Sequence, residues 1–148
     1  MITVHIGYPK AGSTTLQKQL FAKHSGLINL GLYPRGNIGV DYNVNELPDV
    51  PYLNDRRIKS LYQHISQTDG VLYNPQTVKL LWSEIFNDYN DNNQPILLSS
   101  ESLLSARFSN PEIREKAHRV RETFENPYII IIIRSQADML CSLYRDHP

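Results

Sequence analysis

The sequence predicts an α/β protein built on a parallel sheet with helices on both faces. Three observations carry that expectation. Residues 2–7, 95–100 and 128–133 are predominantly apolar on both faces rather than alternating, the pattern of strands buried on both sides. Segments with helical spacing of apolar residues stand between them, and alternation of strand and helix favours parallel pairing. The first strand also runs through a glycine-bearing loop directly into a helix.

Each element follows from its residues in turn. ITVHIG, residues 2–7, is β-branched and apolar and reads as a buried strand. Pro9 and Gly12 break it into a loop, and from Thr14 the spacing of Leu16, Leu20 and Phe21 predicts a helix. GLINLG, residues 26–31, fits a short strand, whereas residues 32–54 have the Tyr, Pro, Gly, Asn and Asp content of a loop. Helices are expected over 55–67 and 75–89, the second with Val78, Leu81, Trp82 and Ile85 on one face. The polar run 87–94 ends it, and PILLSS, residues 95–100, is the next strand. Residues 112–124 are expected to form a charged helix with a solvated face, in which Arg119 and Arg121 also offer charge to an anionic partner. YIIIII, residues 128–133, is a further buried strand, followed from about Ser135 by a helix through Tyr144.

With 148 residues the chain is long enough for one domain with a real core, spanning residues 1–148. Fifteen basic side chains balance fifteen acidic ones, so no global field favours nucleic acid. A lone cysteine, Cys141, cannot form an internal disulfide or a metal cluster. The longest apolar run is too short to span a bilayer, and the start carries no basic-then-apolar leader. A cytoplasmic setting without membrane or nucleic-acid partners is the expectation.

The loop HIGYPKAGSTTLQ is read as an anion site, the alternative being an ordinary strand-to-helix turn with a Ser/Thr N-cap. Glycines let backbone N–H groups approach an anion, Ser13, Thr14 and Thr15 add hydroxyl donors, and Lys10 adds a full charge. A triphosphate loop reads G-x-x-x-x-G-K-[ST]. Gly7 and Gly12 have that separation, but Ser13 stands where the lysine belongs and the lysine is at position 10. Nor does either neighbouring strand, ending in LLSSE or IIIIIR, offer the aspartate that a magnesium-dependent triphosphate site uses. The site is therefore read as metal-free. Arg134 at a strand end and Ser142 about two turns along the next helix can close on a second phosphate, although by themselves they read more simply as a surface arginine and a helix serine.

In order and spacing the two segments resemble the sulfotransferases that use 3′-phosphoadenosine 5′-phosphosulfate (PAPS). The first family motif, roughly P-K-x-G-[ST]-[ST]-x-L, is met by Pro9 to Leu16. The second, an arginine after an apolar strand with a serine and a tyrosine following, is met by Arg134, Ser142 and Tyr144. Gln136 stands where the family often has proline. The resemblance covers residues 2 to about 145 and is weakest in the middle third.

It implies a P-loop-like fold and transfer of a sulfuryl group from PAPS to a hydroxyl or amine by in-line displacement, leaving 3′-phosphoadenosine 5′-phosphate (PAP) and needing no metal. The cofactor would be held by Lys10, Ala11, Gly12, Ser13, Thr14 and Thr15 at its 5′ end and by Arg134 and Ser142 at its 3′-phosphate. Lys10 would stabilise the leaving oxygen, and Glu101, the carboxylate closing PILLSSE, would be the base. Helix-end stabilisation, or pairing with Lys10 or Arg134, are the other roles open to Glu101. The acceptor would be a small molecule or carbohydrate, with lipid, phenol and protein tyrosine also open; Tyr33, Tyr42 and Tyr52 could line its pocket or simply pack the loop. Family members continue beyond the second motif, so the chain is expected to be truncated at its C-terminus. The alternatives are a P-loop kinase and a non-catalytic nucleotide-binding module. His5, inside the first strand, is expected to be a core residue.

Overall fold

The computed structural model describes residues 1–7, 16–21, 23–31, 55–90, 93–100, 103, 111–132 and 135. Four strands, β1 (Ile2–Gly7), β2 (Ile28–Asn29), β3 (Ile96–Ser99) and β4 (Tyr128–Ile132), form one all-parallel sheet in the order β2-β3-β1-β4. Three helices, α1 (Arg56–Ser66), α2 (Pro75–Tyr89) and α3 (Ile113–Phe124), and a wide π-type turn, Leu16–Phe21, complete the described elements. The protein is thus α/β with a parallel sheet, and every described element falls on a segment the sequence marked.

The helices begin where their residues can cap them. Asp55 accepts from the Arg57 N–H at 2.8 Å, and Asn74 accepts from the Gln76 and Thr77 N–H groups ahead of Pro75. Helix α3 stops where Glu125 and Asn126 turn to positive φ.

The strand order decides which face each helix covers. Parallel crossovers are right-handed, so connections that run in opposite directions across the sheet lie on opposite faces. From β1 the chain moves outward, past the place of β3, to β2; both later connections move back the other way. Helices α1, α2 and α3 accordingly share one face. Val4, Ile6, Ile96 and Leu98 join Ile58, Leu61, Ile65, Val78, Trp82, Ile85, Val120 and Phe124 in one buried cluster there. The register puts Thr3, His5, Leu97 and Ser99 on the other face, and it is there that Gln17 and Phe21 of the Leu16–Phe21 turn make contact.

Two expectations are corrected. Strand β4 is not buried: Tyr128, Ile129, Ile130 and Ile131 are between 42% and 67% exposed, on both faces of the strand. It is the outer strand next to β1, and the three helices gather over β1 and β3 instead. The charged helix is not simply solvated either. On α3, Lys116 and Arg119 are buried. Arg119 Nη1 donates to the carbonyls of His64 (3.1 Å), Ile65 (3.4 Å) and Thr68 (2.7 Å) at the end of α1, its guanidinium lies 3.9 Å from the Tyr73 ring centre, and Nη2 donates to Glu115. A helix end leaves carbonyls without intrahelical donors, and a guanidinium fork can meet several at once. That use leaves Arg119 facing the protein rather than an anionic partner.

Candidate functional site

In open α/β sheets, ligands bind outside the carboxyl ends of adjacent strands whose connections leave in opposite directions. Here those strands are β1 and β3. Strand β4 flanks β1 on its other side, with Gly7 paired to Ile132. The segments that follow β1, β3 and β4 therefore leave one edge of the sheet side by side. These are the segments that contain Lys10 to Thr15, Glu101 and Arg134.

Lys10, Ala11, Gly12, Ser13, Thr14, Thr15, Glu101, Arg134 and Ser142 themselves lie outside the described residues, as do Tyr33, Tyr42, Tyr52 and Cys141. The floor of the crevice is described, and it is polar. His5 and Ser99 are register partners near the ends of β1 and β3, and both are fully buried. His5 Nδ1 lies 2.8 Å from Ser99 Oγ, and Gln17 Nε2 donates to the same oxygen at 2.9 Å. The Ser100 N–H continues the link from β3 to β1 by donating to the His5 carbonyl at 3.1 Å. Phe21, four residues after Gln17, sets its ring edge-on to the His5 imidazole with centroids 5.2 Å apart.

Gln17 Nε2 can only donate, so Ser99 Oγ accepts from it; the hydroxyl keeps one hydrogen and a second lone pair, and the direction of its bond with His5 Nδ1 follows the imidazole tautomer. His5 Nε2 and Gln17 Oε1 are both buried and find no partner among the described residues. Burial holds the His5 pKa below its ordinary value, so the ring is neutral at pH 7. Among the described residues no three His, Cys, Asp or Glu side chains gather as metal ligands would. Nor is any described helix long and apolar enough to cross a membrane.

The local packing is close. Gly31 follows β2, whose pairing continues as the Leu30 N–H donates to the Leu97 carbonyl at 2.8 Å. A Cβ on Gly31 would stand 2.9 Å from Ser99 Cβ and 2.8 Å from Asn29 Oδ1, so only glycine fits beside the floor.

His5 is a core residue, as its place in the strand implied, but a hydrogen-bonded one. Gln17 carried no assigned role in the sequence, and Ser99 was read only as a polar strand end that could converge on the site or cap a helix before Glu101. One signal could have marked them: His5 and Ser99 are the polar interruptions near the ends of otherwise apolar strands, and Gln17 follows directly on the loop motif. Comparison with family models, curated proteins and solved structures found no match to this chain.

Proposed function

We propose that the chain binds PAPS across the crevice outside β1 and β3 and transfers its sulfuryl group to a hydroxyl or amine. The observation that carries this reading is the strand order. It makes β1 the neighbour of both β3 and β4, so the two motif segments and the Glu101 segment depart from one sheet edge.

In this reading the loop from Lys10 to Thr15 takes the 5′ end of the nucleotide, and Arg134 with Ser142 takes the 3′-phosphate. Glu101 accepts the acceptor's proton as the acceptor oxygen or nitrogen bonds to sulfur. The bond between sulfur and the bridging oxygen breaks, its electron pair stays on PAP, and Lys10 meets the charge that develops there. Preorganised donors of this kind are the main resource of such a transfer. The fold is then P-loop-like with the lysine moved forward, matching a phosphosulfate instead of a magnesium-bound triphosphate.

A thermal-shift comparison tests the proposal without knowledge of the acceptor. PAP without metal at 100 times its Kd should add about 2.7 kcal/mol, which for a chain of this size raises Tm by about 5–10 °C. A larger shift with ATP and Mg²⁺ than with PAP would replace the proposal with the kinase reading. Tight PAP binding without transfer to any acceptor would favour a binding module.

A further inference from the structure

We propose that Gln17 is a positioning residue for the loop of residues 8–15, acting through Ser99. The proposal rests on reading that loop as the anion site. Its first end is fixed by strand pairing, with His5 opposite Ser99 in β3 and Gly7 opposite Ile132 in β4. Its second end enters the Leu16–Phe21 turn, only six residues long. A helical segment that short does not hold itself together in water, so side-chain contacts must locate it. Among the described residues, Gln17 on Ser99 Oγ and Phe21 on the His5 ring are such contacts. Both reach the same two strand ends from which the crevice opens, so one polar cluster anchors the two ends of the loop relative to each other.

The choice of residue supports a geometric task. Gln17 is 3% exposed, yet Oε1 has no partner among the described residues. Burying half an amide unsatisfied is unfavourable, and methionine would fill the same space without that cost. An apolar contact can slide, whereas the 2.9 Å hydrogen bond to a buried oxygen fixes rotation and height. Preorganisation of this sort spares a ligand the entropy of ordering the loop.

Two measurements on the full chain test the inference, using Gln17→Met, Ser99→Ala and the double variant. In the ligand-free protein, amide hydrogen exchange across Leu16–Phe21 should quicken by about tenfold in each single variant while α2 stays unchanged. Because both substitutions break one link, the double variant should exchange no faster than Ser99→Ala alone. The PAP Kd, measured calorimetrically on variants that remain folded, should rise by about tenfold. Unchanged exchange in Gln17→Met overturns the proposal. So does faster exchange throughout α2, which would make the contact a general stability contact, or an unchanged PAP Kd. If the unsubstituted protein shows no PAP binding while the exchange results hold, the nucleotide reading fails and the anchoring of the loop by Gln17 stands.

Discussion

Replacing Arg119 with methionine should be among the most destabilising single changes open to this fold. The side chain is 1% exposed, and its Nη1 donates to three carbonyls at the end of α1, two of them at 2.7 and 3.1 Å. Charge-assisted hydrogen bonds contribute about 1.5–3 kcal/mol each, and a desolvated cation over an aromatic ring about 1–2 kcal/mol. Against this stands the relief of several kcal/mol from no longer burying a guanidinium. The contact with Glu115 adds little, because that carboxylate is 42% exposed. Methionine keeps most of the stem's volume, so no large cavity complicates the result. The balance is a loss of about 3 kcal/mol, or about 6–12 °C in Tm. Urea unfolding followed by far-ultraviolet circular dichroism gives the number directly, with an unchanged slope confirming that only stability moved. Glu115→Gln, run beside it, should cost less than about 1 kcal/mol. A loss below about 1 kcal/mol for Arg119→Met would mean that the α1 carbonyls are met by water and that the guanidinium does not join α3 to α1.

Four further outcomes follow from the site and its floor. His5 is held below its ordinary pKa of 6.5 by burial, so the unfolded chain takes up the proton first as pH falls. Stability should be fully present above pH 6.5 and decline as pH drops from there towards the folded value; urea midpoints at about pH 8 and pH 5.5 should differ in the unsubstituted protein and differ less in His5→Gln. Gly31→Ala drives a methyl to 2.9 Å from Ser99 Cβ and should cost about 1–3 kcal/mol in thermal unfolding, while an unchanged Tm would show that β2 shifts freely. Under the sulfotransferase reading, Glu101→Gln should leave PAP affinity nearly intact and cut transfer by roughly 10²-fold or more, and Lys10→Ala should lower the rate far more than the affinity. Equal losses of rate and affinity in Lys10→Ala would make that lysine a uniform binding contact.

The elements were legible because their signals are local. The largely apolar, β-branched run of β1 and the 3.6-residue spacing of Val78, Trp82 and Ile85 each act within a few residues. The misreadings concern properties that depend on position in the sheet. A run of isoleucines announces a strand, but whether helices reach over it depends on strand order, and β4 is the outer neighbour of β1. Likewise the alternation of charges on α3 announces an exposed helix, whereas the fate of Arg119 depends on the carbonyl end of α1, fifty-odd residues earlier in the chain. For the site, the loop motif was visible and its supporting cluster was not. His5 and Ser99 are 94 positions apart, and only the parallel register makes them neighbours.

That separation also sets the order in which the molecule can assemble. Strand β1 is made first, yet both of its partners come late, β3 at residues 96–99 and β4 at 128–132. At about 5–20 residues per second, a ribosome takes roughly 5–20 s to bring the first of them into existence. Contacts between distant segments are slow to form because closing a long loop costs entropy before pairing returns any. The nascent chain therefore carries the ITVHIG segment without either sheet partner until residues 96–99 are made, alongside α1 and α2, which can form from local contacts. The crevice floor, made of His5, Gln17 and Ser99, is consequently among the last features to form, and a chain released before β3 is complete has no floor at all.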